Sequence, residues 1–144
     1  MNKKHIILLI LLGVSQLLFS QSFSGKGDQK VQAGFNFYGY GTGIKANYDY
    51  GLNNTFSIGI GGVFYNTGLH HSGMFIFGRG DYHFQEVIKY PEELDVYLGL
   101  ELGLVGSNYF GLGGHIGGRY DFSSNLYAYA ELGYNAAIGV GINL

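Results

Sequence analysis

The feature that most constrains the fold is a two-residue alternation that continues through most of the chain after residue 30. Apolar side chains alternate with glycine or polar side chains in successive short runs. Because neighbouring side chains on a β-strand point to opposite faces, each run predicts a strand with two different faces. The predicted strands span residues 31–39, 43–51, 55–65, 74–84, 94–105, 110–122, 126–134 and 137–144.

The two predicted faces differ sharply in charge. The apolar face includes Phe35, Ile44, Ile60, Leu100 and Ile138, and none of its residues is charged. The opposite face carries glycines, His83, His115 and all the charged residues of the strands. These charged residues are Lys45, Asp49, Arg79, Asp81, Asp95, Glu101, Arg119, Asp121 and Glu131. Such segregation predicts an all-β, up-and-down antiparallel barrel of about eight strands.

This pattern suits either a soluble barrel with an apolar interior or a transmembrane barrel with an apolar exterior. Charged residues make up only 12% of the chain, against about 25% in soluble domains, so a water-facing surface would carry too few charged side chains. Aromatic residues of the apolar face also gather near one set of turns, as in the interfacial girdles of membrane barrels. These are Tyr48, Tyr50, Phe56, Tyr82, Phe84, Tyr120 and Phe122. We therefore favour the transmembrane barrel.

The polar face would then form a narrow lumen. We expect Lys45, Asp49, Arg79, Asp81, Glu101, His115, Arg119, Asp121 and Glu131 to form a structural charge network there. Unpaired buried charges are costly, so Arg79 and Arg119 should pair with nearby carboxylates. Aromatic residues should fill the remaining space and exclude a wide pore. They are Tyr38, Phe75, Phe77, Tyr97, Tyr127 and Tyr129.

The first residues predict export. Lys3 and Lys4 precede an interrupted apolar stretch, so residues 1–20 are interpreted as a signal peptide cleaved after Ser20. A retained anchor is the alternative, and the absence of cysteine excludes a lipoprotein anchor. Residues 21–29 are expected to be a flexible segment and residues 30–144 the outer-membrane barrel domain.

If both ends of the barrel domain face the periplasm, the connections 51–54, 85–93 and 123–125 lie on that side. The connections 40–42, 66–73, 106–109 and 135–136 then lie outside. Residues 85–93 contain Pro91, the only proline, and a helical turn is one interpretation of this segment.

Several short motifs are weaker than the strand pattern. Gly41–Ala46 matches a dinucleotide fingerprint, but a strand follows it instead of the required helix. His70 and His71 lie in a predicted loop without a nearby carboxylate, which favours a solvated loop over a metal site. Asn53–Thr55 forms a sequon that is better interpreted as a turn.

A Ser–His–Asp arrangement would indicate a lipid-modifying enzyme. Ser57, Ser123 and Ser124 are expected near the periplasmic end, whereas His115 lies in the middle of a strand. The interior histidines and carboxylates are therefore interpreted as structural. We expect no catalytic residues, no cofactor and no metal.

The segments KVQAGFNFYGYGTGIKANYDYGL, FIFGRGDYHFQE and AAIGVGINL resemble a family of small outer-membrane barrel proteins from Bacteroidota. That family has no known function, so the resemblance implies fold and location without site residues. Leu144 stands where such barrels commonly end in an aromatic residue.

The leading hypothesis is a non-enzymatic outer-membrane protein with a structural or interaction role. Its partners would be outer-membrane lipid and the barrel-assembly machinery during insertion. A net charge of −2 and no basic face argue against nucleic acid. The alternatives are a soluble secreted barrel that binds an apolar ligand, an outer-membrane enzyme acting on lipid, and a narrow channel for small solutes.

Overall fold

The computed structural model describes residues 22–39, 41–68, 73–106 and 109–144. The predicted all-β barrel of eight antiparallel strands is confirmed, because the strands pair in chain order and the last strand pairs with the first. The strands are β1 (Gln29–Tyr38), β2 (Gly41–Gly51), β3 (Phe56–Gly68), β4 (Met74–His83), β5 (Leu94–Val105), β6 (Tyr109–Asp121), β7 (Leu126–Gly133) and β8 (Ala136–Asn143).

The strand boundaries differ from the predicted ones by a few residues at most. The largest difference is in β3, which continues to Gly68, so that residues 66–68 belong to a strand and not to a loop. A 3₁₀ helix at Phe84–Glu86 begins the connection between β4 and β5, in agreement with the helical turn considered there. Within the described part of the chain, no helix is long and apolar enough to cross a membrane.

Closure of the sheet leaves each strand with two hydrogen-bonded neighbours. Val31 of β1, for example, lies opposite Tyr48 of β2 on one side and Ile142 of β8 on the other. A closed barrel has no unpaired strand edge, which is a requirement for backbone surrounded by hydrocarbon. We call the end at which β1 begins and β8 ends the terminal end. The connections 52–55, 84–93 and 122–125 lie at this end as well.

The outer surface of the barrel is apolar. Large hydrophobic side chains project outward from all eight strands and are about half exposed or more. Examples are Phe35, Ile44, Ile60, Ile76, Leu100, Leu112, Leu132 and Ile138. This is the face that the alternation predicts to be apolar, and the charged residues of the strands lie on the other face, inside the barrel.

Interior glycines make room for aromatic rings on neighbouring strands. Gly117 lies directly opposite Tyr97, and Gly141 lies directly opposite Tyr127. A Cβ atom added at Gly117 would come within 2.4 Å of the Tyr97 ring, and one at Gly141 within 2.2 Å of the Tyr127 ring. Interior glycines such as these are therefore a packing requirement of a narrow, ring-filled lumen.

Tyr38 does not lie in the lumen, contrary to the prediction for the aromatic residues that fill it. Simple alternation places it inside, but its side chain is 51% exposed. The register between β1 and β8 shifts between Asn36 and Tyr38, which is a bulge or irregularity. One extra residue in a strand reverses the faces that follow it, so Asn36 is the last interior residue of β1. The other five predicted aromatic residues are buried.

Residues 22–28, part of the segment predicted to be flexible, pack against the barrel in the structure. Ser22 and Phe23 are buried, and the Ser22 amide donates a hydrogen bond to the Glu92 carbonyl at 2.8 Å. The Gly27 amide donates to the Gly51 carbonyl at 2.9 Å, and β1 begins at Gln29. The segment therefore covers the terminal end. The predicted signal peptide lies outside the described residues.

Candidate functional site

The candidate site is the barrel interior, where the structure brings together all nine residues of the predicted charge network. Each of the nine is buried, with at most 4% of its surface exposed. They come from five strands, β2, β4, β5, β6 and β7, and they divide into two groups around Arg79 and Arg119.

The group around Arg79 lies midway along the barrel. Arg79 contacts Glu131 and Asp81, each at 2.9 Å, and lies 3.6 Å from Glu101. Lys45 pairs with Glu101 and, at 3.0 Å, with Glu131. Each carboxylate therefore faces at least one cation. Because these side chains are buried, the pairing offsets a desolvation cost that would otherwise be several kcal/mol per ion.

The group around Arg119 lies nearer the terminal end. Arg119 pairs with Asp49 and, at 3.3 Å, with Asp95. Its Nε donates a hydrogen bond to the Gln32 side-chain oxygen at 3.0 Å. The Asp121 carboxylate accepts a hydrogen bond from the side-chain amide of Asn143 at 3.2 Å, which links β6 to the end of β8.

Aromatic side chains connect the two groups. The Tyr97 hydroxyl donates to Glu131 at 2.8 Å, and the Arg119 guanidinium lies 4.4 Å from the centre of the Tyr97 ring. Lys45 lies 5.0 Å from the centre of the Phe77 ring. Both cations thus contact a carboxylate and a ring face, an arrangement in which cation–π attraction adds to the ion pairs.

An apolar cluster fills the interior at the end opposite the terminal end. Its members are buried residues of β3, β4 and β5: Val63, Tyr65, Phe75, Phe77 and Val105. Phe75 and Phe77 lie with their ring centres 5.2 Å apart. Together with the charge network, this cluster occupies the cross-section of the barrel with side chains.

The structure also contains a hydrogen-bonded chain that the sequence interpretation missed. The Ser57 hydroxyl lies 2.8 Å from His83 Nε2, and His83 Nδ1 lies 2.7 Å from Asp95 Oδ1. All three side chains are buried at the terminal end. The prediction compared the serines only with His115. It did not consider His83, the last residue of β4, which meets the starts of β3 and β5 at this end.

Three interior residues place potential metal ligands close together. Glu101, His115 and Glu131 each offer a ligand atom, and these atoms lie within 4.8 Å of one another. The carboxylate oxygens already contact the Lys45 ammonium and the Arg79 guanidinium, so protein cations occupy the position that a metal would need. His70 and His71, considered for a surface metal site, lie outside the described residues.

The dinucleotide fingerprint at Gly41–Ala46 lies within β2, so no helix follows it. Asn53 forms a turn, as expected for the sequon, and its side-chain oxygen accepts hydrogen bonds from the Thr55 and Phe56 amides at 2.8 and 2.9 Å.

Further buried polar residues complete the interior but were absent from the predicted network. They are Lys30, Gln32, Asn36, Asn47, Ser57, His83 and Asp95. The alternation itself contains the signal that identifies them, because Gln32 and Asn36 share the interior phase of β1 and Asn47 lies between Lys45 and Asp49. The predicted network omitted the neutral residues because it considered charged residues and histidine. Lys30 precedes the first predicted strand, whereas His83 and Asp95 were placed on the interior face but not included in the network.

Comparisons with known proteins support the fold. The structure superimposes on a de novo designed transmembrane β-barrel with a TM-score of 0.71 and 18% identity, covering 84% of this chain and 98% of the design. It also superimposes on the N-terminal β-barrel domain of Pseudomonas aeruginosa OprF with a TM-score of 0.63 and 19% identity, covering 84% and 100%. No family model matches the sequence, and no curated protein shows significant similarity to it.

Proposed function

We propose that this protein is a small barrel of the bacterial outer membrane with a structural or interaction role and a sealed lumen. The observation that carries the proposal is the direction of the two faces. Apolar side chains such as Ile60 and Leu100 cover the outside, while Arg79, Arg119 and their carboxylates are buried inside. Water would solvate the second set and not the first, so this arrangement suits a surrounding of lipid.

Aromatic residues at the terminal end support the same location. Tyr50, Phe56, Tyr120 and Phe122 are exposed on the outer surface there. Phe56 also makes an edge contact with Tyr82, at 5.4 Å between ring centres. Such rings are favoured where hydrocarbon meets lipid headgroups.

A soluble barrel that stores an apolar ligand needs the opposite arrangement, with apolar residues lining the cavity. Here the middle of the interior is occupied by ion pairs, and one end is filled by Val63, Phe75 and Phe77. The filled cross-section also argues against a channel. We propose that the protein has no catalytic activity in this closed form.

The same proposal has three further parts. The protein would belong to the small outer-membrane barrels of Bacteroidota, would be exported by a cleaved signal peptide, and would contact the assembly machinery during insertion. The quoted sequence segments support the first, and the charged and apolar residues before position 20 support the second.

The test is expression in a bacterium that has an outer membrane, followed by fractionation and gel migration with and without heating. We expect the protein in the outer-membrane fraction, as a detergent-resistant band that migrates differently after boiling. Recovery from the soluble periplasm would contradict the proposal. In planar bilayers we expect no single-channel steps, and reproducible steps would favour the narrow channel instead.

A further inference from the structure

The hydrogen-bonded chain of Ser57, His83 and Asp95 has the connectivity of a serine nucleophile with its base and acid. Ser57 is the second residue of β3, His83 the last of β4 and Asp95 the second of β5. The two successive distances are 2.8 and 2.7 Å, within the range required for a nucleophile–base and a base–carboxylate contact.

The contacts along this chain suit proton transfer from the serine to the histidine. Asp95 also pairs through its other carboxylate oxygen with Arg119, at 3.3 Å. With the Asp95 carboxylate as acceptor of a hydrogen on His83 Nδ1, His83 Nε2 is left to accept from the Ser57 hydroxyl. This tautomer is the one in which histidine can remove the serine proton.

The imidazole ring is also held in place. The Phe23 ring stacks on it with 3.6 Å between centres and a 5° angle between planes. The Tyr97 ring lies 5.7 Å from it. Phe23 is 1% exposed and belongs to the segment that covers the terminal end. The stacked ring therefore both orients His83 and closes it off from the solution.

A polar pocket of about 310 Å³ opens beside this cover. Its wall includes Ser24, Asn54, Gln85 and Leu94. Ser24 adjoins Phe23, Asn54 lies three residues before Ser57, Gln85 lies two after His83, and Leu94 adjoins Asp95. The pocket is thus formed by the chain segments that carry the three residues and their cover, and its volume is at the lower end of ligand-binding cavities.

We propose that Ser57 is an acyl-accepting nucleophile for small polar esters, and that Phe23 must move aside before an ester can reach it. Glu86 and Glu92 also line the pocket, so neutral or cationic esters are favoured over anionic ones. This activity goes beyond the proposed structural role and belongs to an opened form, whereas the closed form is inactive.

The reaction balances with water as the only co-reactant. Ser57 Oγ attacks the ester carbonyl carbon while His83 Nε2 takes the hydroxyl proton. The bond to the leaving alcohol then breaks, and His83 returns the proton to that alcohol. Water, deprotonated by His83, attacks the acyl-serine, and the carboxylic acid leaves as Ser57 regains its proton. Asp95 stabilises the transient imidazolium throughout.

The test is covalent labelling of the full, detergent-folded chain with a fluorescent alkyl fluorophosphonate, which reacts with activated serines by loss of fluoride. Phe23→Ala should be labelled at least about tenfold faster than wild type, with the tag mapped to Ser57 by peptide mass spectrometry. In the Phe23→Ala background, Ser57→Ala should abolish labelling and His83→Gln should slow it about a hundredfold, as expected on loss of a general base. Ser124→Ala, an exposed serine at the same end, is the matched control and should leave the rate unchanged.

A folded Phe23→Ala protein with untagged Ser57, or a labelling rate unaffected by His83→Gln, would overturn the proposal and leave a structural hydrogen-bond chain. If Phe23→Ala does not give the heat-modifiable folded band, Phe23→Leu replaces it under the same criteria. If neither folds, prolonged labelling of wild type decides, because a tag on Ser57 supports the proposal and its absence overturns it. Membrane fractionation is independent of these results, so failure here leaves the proposed location untouched.

Discussion

The outside and the inside of the barrel wall are built from alternate residues of the same strands, yet they are constrained in different ways. Outside, neighbouring residues such as Leu98, Leu100 and Leu102 need only be apolar. Inside, Tyr97, Gly99 and Glu101 each meet a particular partner: Arg119, Asp81 and Lys45 respectively. The comparison teaches that outward-facing positions are specified by class of residue, whereas interior positions are specified one by one.

The largest expected effect comes from removing both interior guanidinium groups. In Arg79→Met with Arg119→Met, Asp49 and Asp81 lose their arginine partners, and Glu131 keeps only Lys45. Breaking one buried ion pair from one side costs about 3–5 kcal/mol, so the double variant should lose more than about 5 kcal/mol of unfolding free energy. The measurement is urea unfolding in detergent, followed by the heat-modifiable band on a gel.

The control for this variant is Lys26→Met, which removes an exposed cation from the terminal end and should be neutral. If the double arginine variant folds with wild-type stability, the interior charges do not hold the barrel together.

The second effect tests the outer face. Leu100 is 62% exposed and lies midway along β5, so in a bilayer its surroundings are hydrocarbon. Leu100→Lys should destabilise the folded barrel in lipid vesicles by about 2–4 kcal/mol, as measured by denaturant titration of tryptophan-free protein through its tyrosine fluorescence.

Leu100→Ile is the matched control and should change the stability by less than about 1 kcal/mol. An exposed position in water tolerates lysine, so a neutral Leu100→Lys would count against a membrane environment and thus against the proposed location.

Much of this contrast could be read from the sequence, because alternation has a fixed period and the charges keep to one phase of it. The two faces of each strand and the interior location of Arg79 and Glu101 follow from that pattern, and eight such strands predict the barrel that the structure shows. The pairing partners do not, because which carboxylate meets Arg79 depends on how strands far apart in the chain face one another across the lumen.

The missed Ser57–His83–Asp95 chain has the same origin. The alternation places His83 and Asp95 on the interior face, but it does not show which residues of β3, β4 and β5 meet at the terminal end, and Ser57 carries no charge. The predicted interior position of Tyr38 is wrong because the alternating pattern does not reveal the register shift between Asn36 and Tyr38. The packing of Phe23 on His83 was missed because residues 22–28 have no periodicity at all.

A third, smaller effect compares two glycines on opposite faces. A Cβ atom at Gly139, inside, would lie 2.2 Å from the Ala33 carbonyl oxygen and 2.5 Å from the Gly34 Cα. These are backbone atoms of the adjacent strand, so the new methyl group of Gly139→Ala must push the paired strands β1 and β8 apart. We expect a loss of about 1–3 kcal/mol in the urea unfolding free energy.

Gly80 supplies the contrast, because a Cβ atom there meets nothing within 4 Å on the outer surface. Gly80→Ala should stay within about 0.5 kcal/mol of wild type. Equal losses of unfolding free energy at both positions would mean that the effect of replacing glycine comes from intrinsic strand propensity. It would not then come from the close approach of the backbone of β1 to Gly139.

The smallest effect isolates one interior hydrogen bond. Tyr97→Phe keeps the ring that packs against Gly117 and Arg119 but removes the hydroxyl that donates to Glu131 at 2.8 Å. Since a hydrogen bond to a charged group contributes about 1.5–3 kcal/mol and Glu131 retains Lys45 and Arg79, we expect a loss near the lower value.

Tyr120→Phe removes a hydroxyl from an exposed ring on the outer face and is the matched control. The difference in urea unfolding free energy between the two variants measures what a specific partner adds to an interior residue. Equal values for Tyr97→Phe and Tyr120→Phe would contradict the view that the inside of the wall is specified one residue at a time.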